Sequence, residues 1–157
     1  MNLKFETINF EIIENIAIIR LNRPNSYNSL NAKMAKELLE ISYECDTNKK
    51  IRAIILTGEG DKAFCAGGDL KSFHETGNVA KHLKMVTHDL HGAITKFSRM
   101  NSPLIVAVNG VAAGAGLSFV GFADLAIATS SATFVSAYTK AGLTPDGSSS
   151  YYLPRII

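Results

Sequence analysis

The chain has 157 residues, of which 46% are hydrophobic and 19% charged, and its 16 basic and 14 acidic residues give a formal net charge of +2. This composition is that of one globular domain, and the charges form no basic block of the kind that binds nucleic acid. The longest apolar runs fall well short of the roughly 20 residues that cross a membrane. Because the N-terminus also lacks a basic, apolar leader, we expect a cytoplasmic protein with no nucleic-acid or membrane partner.

The first third of the chain predicts a pair of strands, a helix and a further strand. Two β-branched runs, at 10–14 and 16–21, are separated around Asn15 and predict a hairpin or two edge strands. Apolar residues at helical spacing after Asn31 predict an amphipathic helix with Asn31 as its N-cap. A short Ile/Leu-rich run at 52–57 is typical of a buried strand that leaves into a turn.

The rest of the chain alternates helices and strands. Apolar residues spaced by three and four predict a helix over 79–97. A strand at 104–108 breaks at Asn109-Gly110 and runs on through 111–113, and a helix over 117–122 follows. Two further short strands are predicted, at 125–128 and 133–135. This alternation favours an α/β fold with crossover connections and several parallel strand pairs.

The cysteines and two of the histidines carry no recognisable site pattern. Cys45 and Cys65, in a predicted helix and loop, lack pairing or metal-type spacing, so we expect two reduced thiols, with Cys65 as a small apolar filler. His88 and His91 share a helix face, but no third ligand is identifiable. We interpret them as a solvated or partly packed pair and predict no metal site.

Two glycine-rich turns carry the clearest chemical signal, Ala66-Gly67-Gly68-Asp69 and Gly114-Ala115-Gly116. The second turn lies where a strand opens into a helix, and free backbone N–H groups at such a point gain partial positive charge from the helix dipole. Two N–H donors that converge on one oxygen would stabilise an enolate or a tetrahedral oxyanion. Tight bending of the chain explains glycine turns equally well.

Five segments give these turns a context by their order and spacing. They are Leu21-Asn22-Arg23-Pro24 through Asn28-Ser29-Leu30-Asn31, then 62–70, 103–116, 123–128, and Gly142-Leu143-Thr144-Pro145-Asp146-Gly147. In these segments the chain closely resembles the crotonase family, the enoyl-CoA hydratase/isomerase superfamily. The resemblance implies a spiral of ββα units and an acyl-CoA thioester as the ligand, with no further cofactor.

The resemblance also implies a role for particular residues. It places the oxyanion hole on the backbone N–H groups of Gly68 and Ala115, and coenzyme A beside the 23–28 loop and the 68–71 turn. The implied substrate- and CoA-binding residues are Arg23, Tyr27, Asn28, Ala66, Gly68, Asp69, Leu70, Lys71 and Ala115.

The resemblance bears on domain organisation as well. Members of the family continue into a C-terminal helical region that is used in trimer packing and in closing the acyl-CoA site. We therefore interpret 1–157 as the core domain without that region, and the abrupt apolar end at 153–157 suggests a truncated chain. For a full-length protein the resemblance implies a homotrimer or a dimer of trimers.

Departures from the family pattern decide which reaction is expected. Where hydratases of the family carry two catalytic glutamates, this chain has Ser118 and Tyr138, so an ordinary hydratase loses its acid and base. Asp146 remains where some isomerases of the family place an acid. A single acid/base suffices for a double-bond shift, and we predict an enoyl-CoA isomerase that uses Asp146. Pro145-Asp146-Gly147 is equally a good turn sequence.

Other readings remain open at this point. One is a hydratase with displaced catalytic groups, and another is a non-catalytic acyl-CoA-binding or assembly subunit. Ser118 as a hydrolase nucleophile is disfavoured because no histidine is placed by motif to serve it. Asp69 is expected to order its own loop through backbone hydrogen bonds, and Asp124 is expected to be structural.

Overall fold

The strands form two sheets in the computed structural model, which describes residues 4–157. The strands are β1 (Ile8–Ile13), β2 (Ile16–Leu21), β3 (Ala53–Gly58), β4 (Ala63–Cys65), β5 (Leu104–Val108), β6 (Val111–Ala113), β7 (Leu125–Ala128) and β8 (Thr133–Val135). The α-helices are α1 (Ala32–Thr47), α2 (Leu70–His74), α3 (Val79–Phe97), α4 (Ala115–Phe122) and α5 (Ser149–Ile156).

The larger sheet has the strand order β1-β2-β3-β5-β7. Only β1 and β2 pair antiparallel, and the turn between them is made by Glu14 and Asn15, both in the left-handed region. The other pairs are parallel. The predicted hairpin around Asn15 is therefore confirmed, although its first strand begins at Ile8 rather than at residue 10.

The smaller sheet, β4-β6-β8, is entirely parallel, and its strands alternate along the chain with strands of the larger sheet. Each pass of the chain adds one strand to the larger sheet and the next strand to the smaller one, as β3 and β4, then β5 and β6, then β7 and β8. Helices α2 with α3, then α4, then α5, follow these three pairs. This is the expected spiral of ββα units.

The two long helices pack against each other. Asn31 caps α1, as predicted, by accepting a hydrogen bond from the N–H of Met34 at 2.9 Å. Each helix buries one apolar face, and α1 contacts α3. The fully or nearly buried side chains of these faces include Met34, Leu38, Ile41, Val86, Leu90, Ile94 and Phe97.

Among the strands and α-helices of residues 4–157, three were not predicted from the sequence: β4, α2 and α5. With three residues, β4 is too short to show an alternating pattern, and Cys65 at its end, expected in a loop, is a strand residue. Helix α5 contains Pro154, which lacks an N–H group and reads as a stop signal. Helix α4 begins at Ala115, two residues before its predicted start.

Several smaller expectations can be compared with the structure. Cys45 and Cys65 are both free and buried, and burial raises their pKa to about 12 and about 11, respectively. Asp124 accepts a hydrogen bond from the N–H of Leu104 at 2.8 Å, which confirms its structural role. In residues 4–157, no helix has both the length and the apolar character of a membrane span.

Candidate active site

The two glycine turns lie directly against each other. They follow β4 and β6, which are parallel neighbours in the smaller sheet, so both turns leave the same end of that sheet. A Cβ added to Gly67 would lie 3.0 Å from the carbonyl oxygen of Ala113, and Gly67 has a φ of +98°. Gly114 faces it with a φ of +51°. The close approach of two backbones in left-handed conformations requires glycine at Gly67.

The N–H groups of Gly68 and Ala115 point to no acceptor within residues 4–157. Beside Gly68, the N–H of Leu30 donates to Gly67 at 2.8 Å and the N–H of Asp69 donates to Leu30 at 2.9 Å, which leaves the N–H of Gly68 unused. Ala115 is the first residue of α4, where an N–H has no intrahelical acceptor. Ala115 is buried, and a buried N–H without a protein acceptor requires another partner.

Both donors belong to residues that line one cleft with an open space of about 620 Å³, mouth included. Most of its wall is apolar and is formed by helices α2 and α3 and by the segment after β8. The apolar lining side chains include Leu30, Leu70, Phe73, Leu83, Val86, Leu90, Ala137 and Leu143. A thioester carbonyl at the two donors would therefore have an apolar space beside it for an acyl group.

Asp146 lies in the wall of the same cleft. Its side chain is 29% exposed, but its Oδ1 atom is buried and has no hydrogen-bond partner within residues 4–157. A buried carboxylate oxygen without a partner is costly in a folded protein and is typical of a group that meets a ligand. Asp146 also accepts the N–H of Ser149 at 3.0 Å through its main-chain oxygen, so it is both a turn residue and a cleft residue.

His91 on α3 approaches the other carboxylate oxygen of Asp146. The distance from His91 Nε2 to Asp146 Oδ2 is 3.6 Å, too long for a hydrogen bond but close enough for an ion pair when the imidazole is protonated. The interpretation of His88 and His91 as a solvated or partly packed pair holds for His91, which is half exposed and packs beside Asp146, whereas His88 borders a shallow surface depression of α3. Helical spacing alone could not reveal a contact with a residue beyond β8.

Ser118 and Tyr138, the two positions where the resemblance places glutamates in hydratases, meet beside Asp146. Their hydroxyl oxygens are 2.7 Å apart, and Ser118 Oγ donates to the main-chain oxygen of Asp146 at 3.0 Å. Burial, reinforced by the nearby Asp146 charge, raises the pKa of Tyr138 well above its usual range. Neither hydroxyl is therefore an acid or base of glutamate strength.

Arg23 and Asp69 join the two loops that were predicted to border coenzyme A. Arg23 Nη2 lies 2.7 Å from Asp69 Oδ2, and both side chains are largely buried. Burial raises the pKa of Asp69, but hydrogen bonds from Arg23 and Ser72 outweigh it, and the net pKa lies below its usual value. The N–H of Ser72 donates to Asp69 Oδ1 at 3.2 Å, which confirms that Asp69 orders its own loop.

The other residues of these two loops differ in accessibility. Asn28 is buried and uses its amide internally, donating to Glu59 at 3.0 Å and Ala63 at 2.9 Å and accepting from the N–H of Arg23 at 2.9 Å. Its side chain thus holds the loop in place. Tyr27, Leu70 and Lys71 are exposed, and Ala66 and Leu70 line the cleft. Contact of these residues with coenzyme A stays a prediction.

Residues 11–157 match the family model described as enoyl-CoA hydratase/isomerase. The chain belongs to this family. The match confirms the resemblance and, together with the two sheets described above, the fold class. Membership in the enoyl-CoA hydratase/isomerase family does not distinguish a hydratase from an isomerase.

Three relatives in this family carry different names. The chain is 40% identical over 154 residues to a protein of Rhodobacter capsulatus named as a probable enoyl-CoA hydratase, covering 98% of this chain and 58% of that protein. It is 36% identical over 152 residues to 4-chlorobenzoyl coenzyme A dehalogenase-2 of Arthrobacter, covering 96% and 55%. It is 36% identical over 153 residues to 1,2-epoxyphenylacetyl-CoA isomerase of Escherichia coli, covering 96% and 58%.

Solved structures of the family share the fold. A crystal structure of an enoyl-CoA hydratase/isomerase from Mycobacterium paratuberculosis matches with a TM-score of 0.89 and 28% identity, over 99% of this chain and 62% of that one. The chain spans between 55% and 58% of the length of the three relatives named above.

Proposed function

We propose that this chain is the core of an acyl-CoA enzyme that shifts a carbon–carbon double bond, with Asp146 as the acid/base. One observation carries the proposal: Asp146, whose buried Oδ1 has no partner within residues 4–157, lines the same cleft as Gly68 and Ala115, whose N–H groups have no acceptor there. A proton-transferring group and an oxyanion-binding pair are thus present in one apolar space.

The proposed role of the two N–H groups is to hold the substrate's thioester oxygen. Removing a proton from the carbon next to a thioester places negative charge on that oxygen as an enolate. Two fixed donors in an apolar cleft stabilise this charge, and the loss of one such donor typically costs about 3–4 kcal/mol in the transition state. The first residue of α4 adds the partial positive charge of a helix N-terminus.

Asp146 would then move the proton between two carbons. In a 3-enoyl-CoA its carboxylate takes a proton from carbon 2, and the electron pair spreads into a dienolate whose oxygen is held by Gly68 and Ala115. The same carboxyl group returns the proton to carbon 4, which gives the 2-enoyl-CoA and restores the carboxylate. No cofactor other than the coenzyme A of the substrate is required in this scheme.

Hydration has weaker support in this site. It needs one group to activate water and another to protonate carbon 2. At the two positions where the resemblance places those groups, the chain has the hydroxyls of Ser118 and Tyr138, and they contact each other. The relative named 1,2-epoxyphenylacetyl-CoA isomerase supports isomerisation as chemistry available to this part of the family. By the same resemblance we propose that the full-length protein is a homotrimer or a dimer of trimers.

A hydrolytic displacement on an aromatic acyl-CoA is the second candidate, and the approach of His91 to Asp146 favours it. In this scheme Asp146 attacks the ring carbon that carries the halogen, and ring electrons move to the thioester oxygen. These electrons return to the ring as the halide leaves with its bonding pair, which gives an aryl ester of Asp146. Water then attacks the ester carbonyl carbon while His91 takes its proton; the bond from this carbon to the aryl oxygen breaks, the aryl oxygen receives the proton as the hydroxyaryl-CoA leaves, and the Asp146 carboxylate is restored. The similarity to a 4-chlorobenzoyl coenzyme A dehalogenase gives this scheme a specific substrate class to test.

The proposed function is tested by turnover of a 3-enoyl-CoA with the wild-type protein and with Asp146→Asn. The amide cannot take up the proton, so we expect kcat to fall by about 100-fold or more with little change in substrate affinity. Asp124→Asn is the matched control because Asp124 lies outside the cleft and contacts the N–H of Leu104. Undiminished turnover in Asp146→Asn would overturn the proposal.

The same preparations separate the rival functions. Release of chloride from 4-chlorobenzoyl-CoA without any double-bond shift would favour the second candidate. Water addition to crotonyl-CoA that survives in Asp146→Asn would indicate a hydratase, and tight binding of all three thioesters without turnover would indicate a binding subunit.

A further inference from the structure

Three donors surround the main-chain oxygen of Asp146. This oxygen accepts hydrogen bonds from the Ser118 hydroxyl at 3.0 Å and from the N–H of Ser149 at 3.0 Å, and the Tyr138 hydroxyl oxygen lies 3.4 Å from it. Ser118 comes from α4, which also supplies the oxyanion donor Ala115. The contact therefore links the element that holds the substrate oxygen to the loop that carries the carboxylate.

Ser118 Oγ also lies 3.4 Å from the main-chain oxygen of Gly114, but the shorter contacts of the cluster favour one arrangement of its hydroxyl hydrogens. Ser118 and Tyr138 have one hydroxyl hydrogen each, and their oxygens are 2.7 Å apart. Because Ser118 is the nearer of the two to the Asp146 oxygen, the shorter contacts are satisfied when Tyr138 donates to Ser118 and Ser118 donates to Asp146. Tyr138 then fixes the orientation of the Ser118 hydroxyl, and Ser118 fixes the position of the Asp146 backbone.

The pair is shielded from solvent. Ser118 is 1% exposed and Tyr138 is 7% exposed. The pKa of Tyr138 is raised by burial and by the Asp146 charge, so its hydroxyl keeps its hydrogen throughout the range in which an enzyme works. Gly147 packs onto the same serine, since an added Cβ there would lie 2.8 Å from Ser118 Cβ. The residue after the carboxylate is thus held against Ser118 as well.

We propose that Ser118 and Tyr138 are positioning residues that set the carboxylate of Asp146 at the proton-transfer distance, in place of acting on the substrate themselves. The inference rests on the proposed acid/base role of Asp146. It gives a function to the two hydroxyls at the positions where the resemblance implies hydratase glutamates. In this chain those positions do not react with the substrate but hold Asp146 in place.

Three variants test the positioning role: Ser118→Ala, Tyr138→Phe and the double variant. A misplacement of about 1 Å at a reacting group costs on the order of 100-fold, so we expect Ser118→Ala to lower kcat for the 3-enoyl-CoA by about 10- to 100-fold. Tyr138→Phe should lower kcat by about tenfold, and the double variant should match Ser118→Ala, because Tyr138 acts through Ser118. Binding of an unreactive acyl-CoA thioester should change by less than about twofold.

Two controls guard against a merely structural explanation. Tyr151→Phe removes the hydroxyl of an exposed tyrosine on α5 and should leave kcat unchanged. Ser118→Cys keeps a weak donor of similar size, and it should recover part of the kcat that Ser118→Ala loses. If Ser118→Ala fails to fold, Tyr138→Phe, which keeps the buried ring, carries the test alone.

The outcomes separate this inference from the proposed function. If Asp146→Asn abolishes turnover while Ser118→Ala and Tyr138→Phe retain wild-type kcat, the positioning role is wrong and the acid/base role stands. A loss of thioester binding at unchanged kcat would also overturn the positioning role. If Asp146→Asn itself retains turnover, the proposed function fails, and the inference fails with it.

Discussion

The cleft has two halves, one formed by backbone N–H groups and the other by a side-chain carboxylate. Under the proposed function, the oxyanion half consists of the backbone N–H groups of Gly68 and Ala115, which follow two parallel strands, and only a substitution by proline would delete one of them. The proposed proton-transfer half is one carboxylate, that of Asp146, on the segment between β8 and α5, and a single substitution can replace it. The three relatives reported above differ in the activity that each name states, and we expect such differences to arise more easily in side chains than in backbone donors.

The supports of the two halves also differ. Gly67 and Gly114 lie backbone to backbone, so the oxyanion half depends on glycine and on strand pairing. The segment that carries Asp146 has left-handed residues at Gly142, Gly147 and Ser148, and hydroxyls from other elements hold it. We therefore expect mutations to separate a backbone effect from a side-chain effect.

Of the variants that test the contrast between the backbone half and the side-chain half of the cleft, Gly67→Ala is expected to give the largest loss of kcat. The new Cβ would lie 3.0 Å from the oxygen of Ala113 at a φ of +98°, so the turn must shift and displace the N–H of Gly68. We expect kcat to fall by about 10²–10³-fold in 3-enoyl-CoA turnover. Gly77→Ala is the matched control, because a Cβ there meets nothing within 4 Å. Equal kcat in the two variants would contradict the backbone account of the oxyanion half.

A smaller effect on the proton-transfer half is expected from His91→Asn. His91 lies 3.6 Å from Asp146 Oδ2 and is half exposed, so in an isomerase it adjusts the carboxylate without carrying the proton. We expect a loss of about tenfold in kcat, well below that of Asp146→Asn. Chloride release from 4-chlorobenzoyl-CoA is measured on the same variant to distinguish the two reactions. If His91→Asn loses chloride release completely but keeps 3-enoyl-CoA turnover, His91 is assigned as the base of a hydrolytic displacement.

The smallest effect concerns the Arg23–Asp69 pair, which lies outside both halves. The folded-state pKa of Asp69 is lowered, so its contribution to stability is present above the unfolded value of about 3.9 and is lost as the pH falls through the folded pKa. We expect Asp69→Asn to cost about 1–2 kcal/mol of unfolding free energy at pH 7, and the difference from wild type should shrink in acid.

Denaturant unfolding at pH 7 and near pH 3 measures this dependence. Glu75→Gln is the control, because its contact with Lys71 at 3.9 Å is exposed and should contribute about 0–0.5 kcal/mol. A difference between Asp69→Asn and wild type that stays constant down to pH 3 would contradict the ion-pair explanation.

Much of the fold follows from local pattern in the sequence. The turn at Asn15, the cap at Asn31 and the helix over 79–97 are encoded by short-range signals, and the structure confirms each of them. The strand β4 was not predicted because its three residues are too few to show an alternating pattern. The helix α5 was not predicted because Pro154 is a residue that usually ends a helix. Motif order, rather than periodicity, predicted the spiral of ββα units.

The site was only partly predictable for a different reason. Gly68, Ala115 and Asp146 could be placed by motif, and they line one cleft. The contacts of His91 with Asp146 and of Ser118 with Tyr138 join residues from separate elements, so no spacing rule signals them. The signal that could have found the second contact was the pair of positions where the resemblance implies two cooperating glutamates, since cooperating groups must be neighbours in space.

Hydrogen exchange tests most directly whether Asp146 moves the proton of an enolate held by Gly68 and Ala115. A 3-enoyl-CoA is incubated in D₂O with wild type and with Asp146→Asn, and deuterium at carbons 2 and 4 is followed by NMR. We predict that wild type forms the 2-enoyl-CoA with deuterium at carbon 4, or with protium transferred from carbon 2, and that Asp146→Asn does neither. Exchange or isomerisation in Asp146→Asn at the wild-type rate would contradict the account.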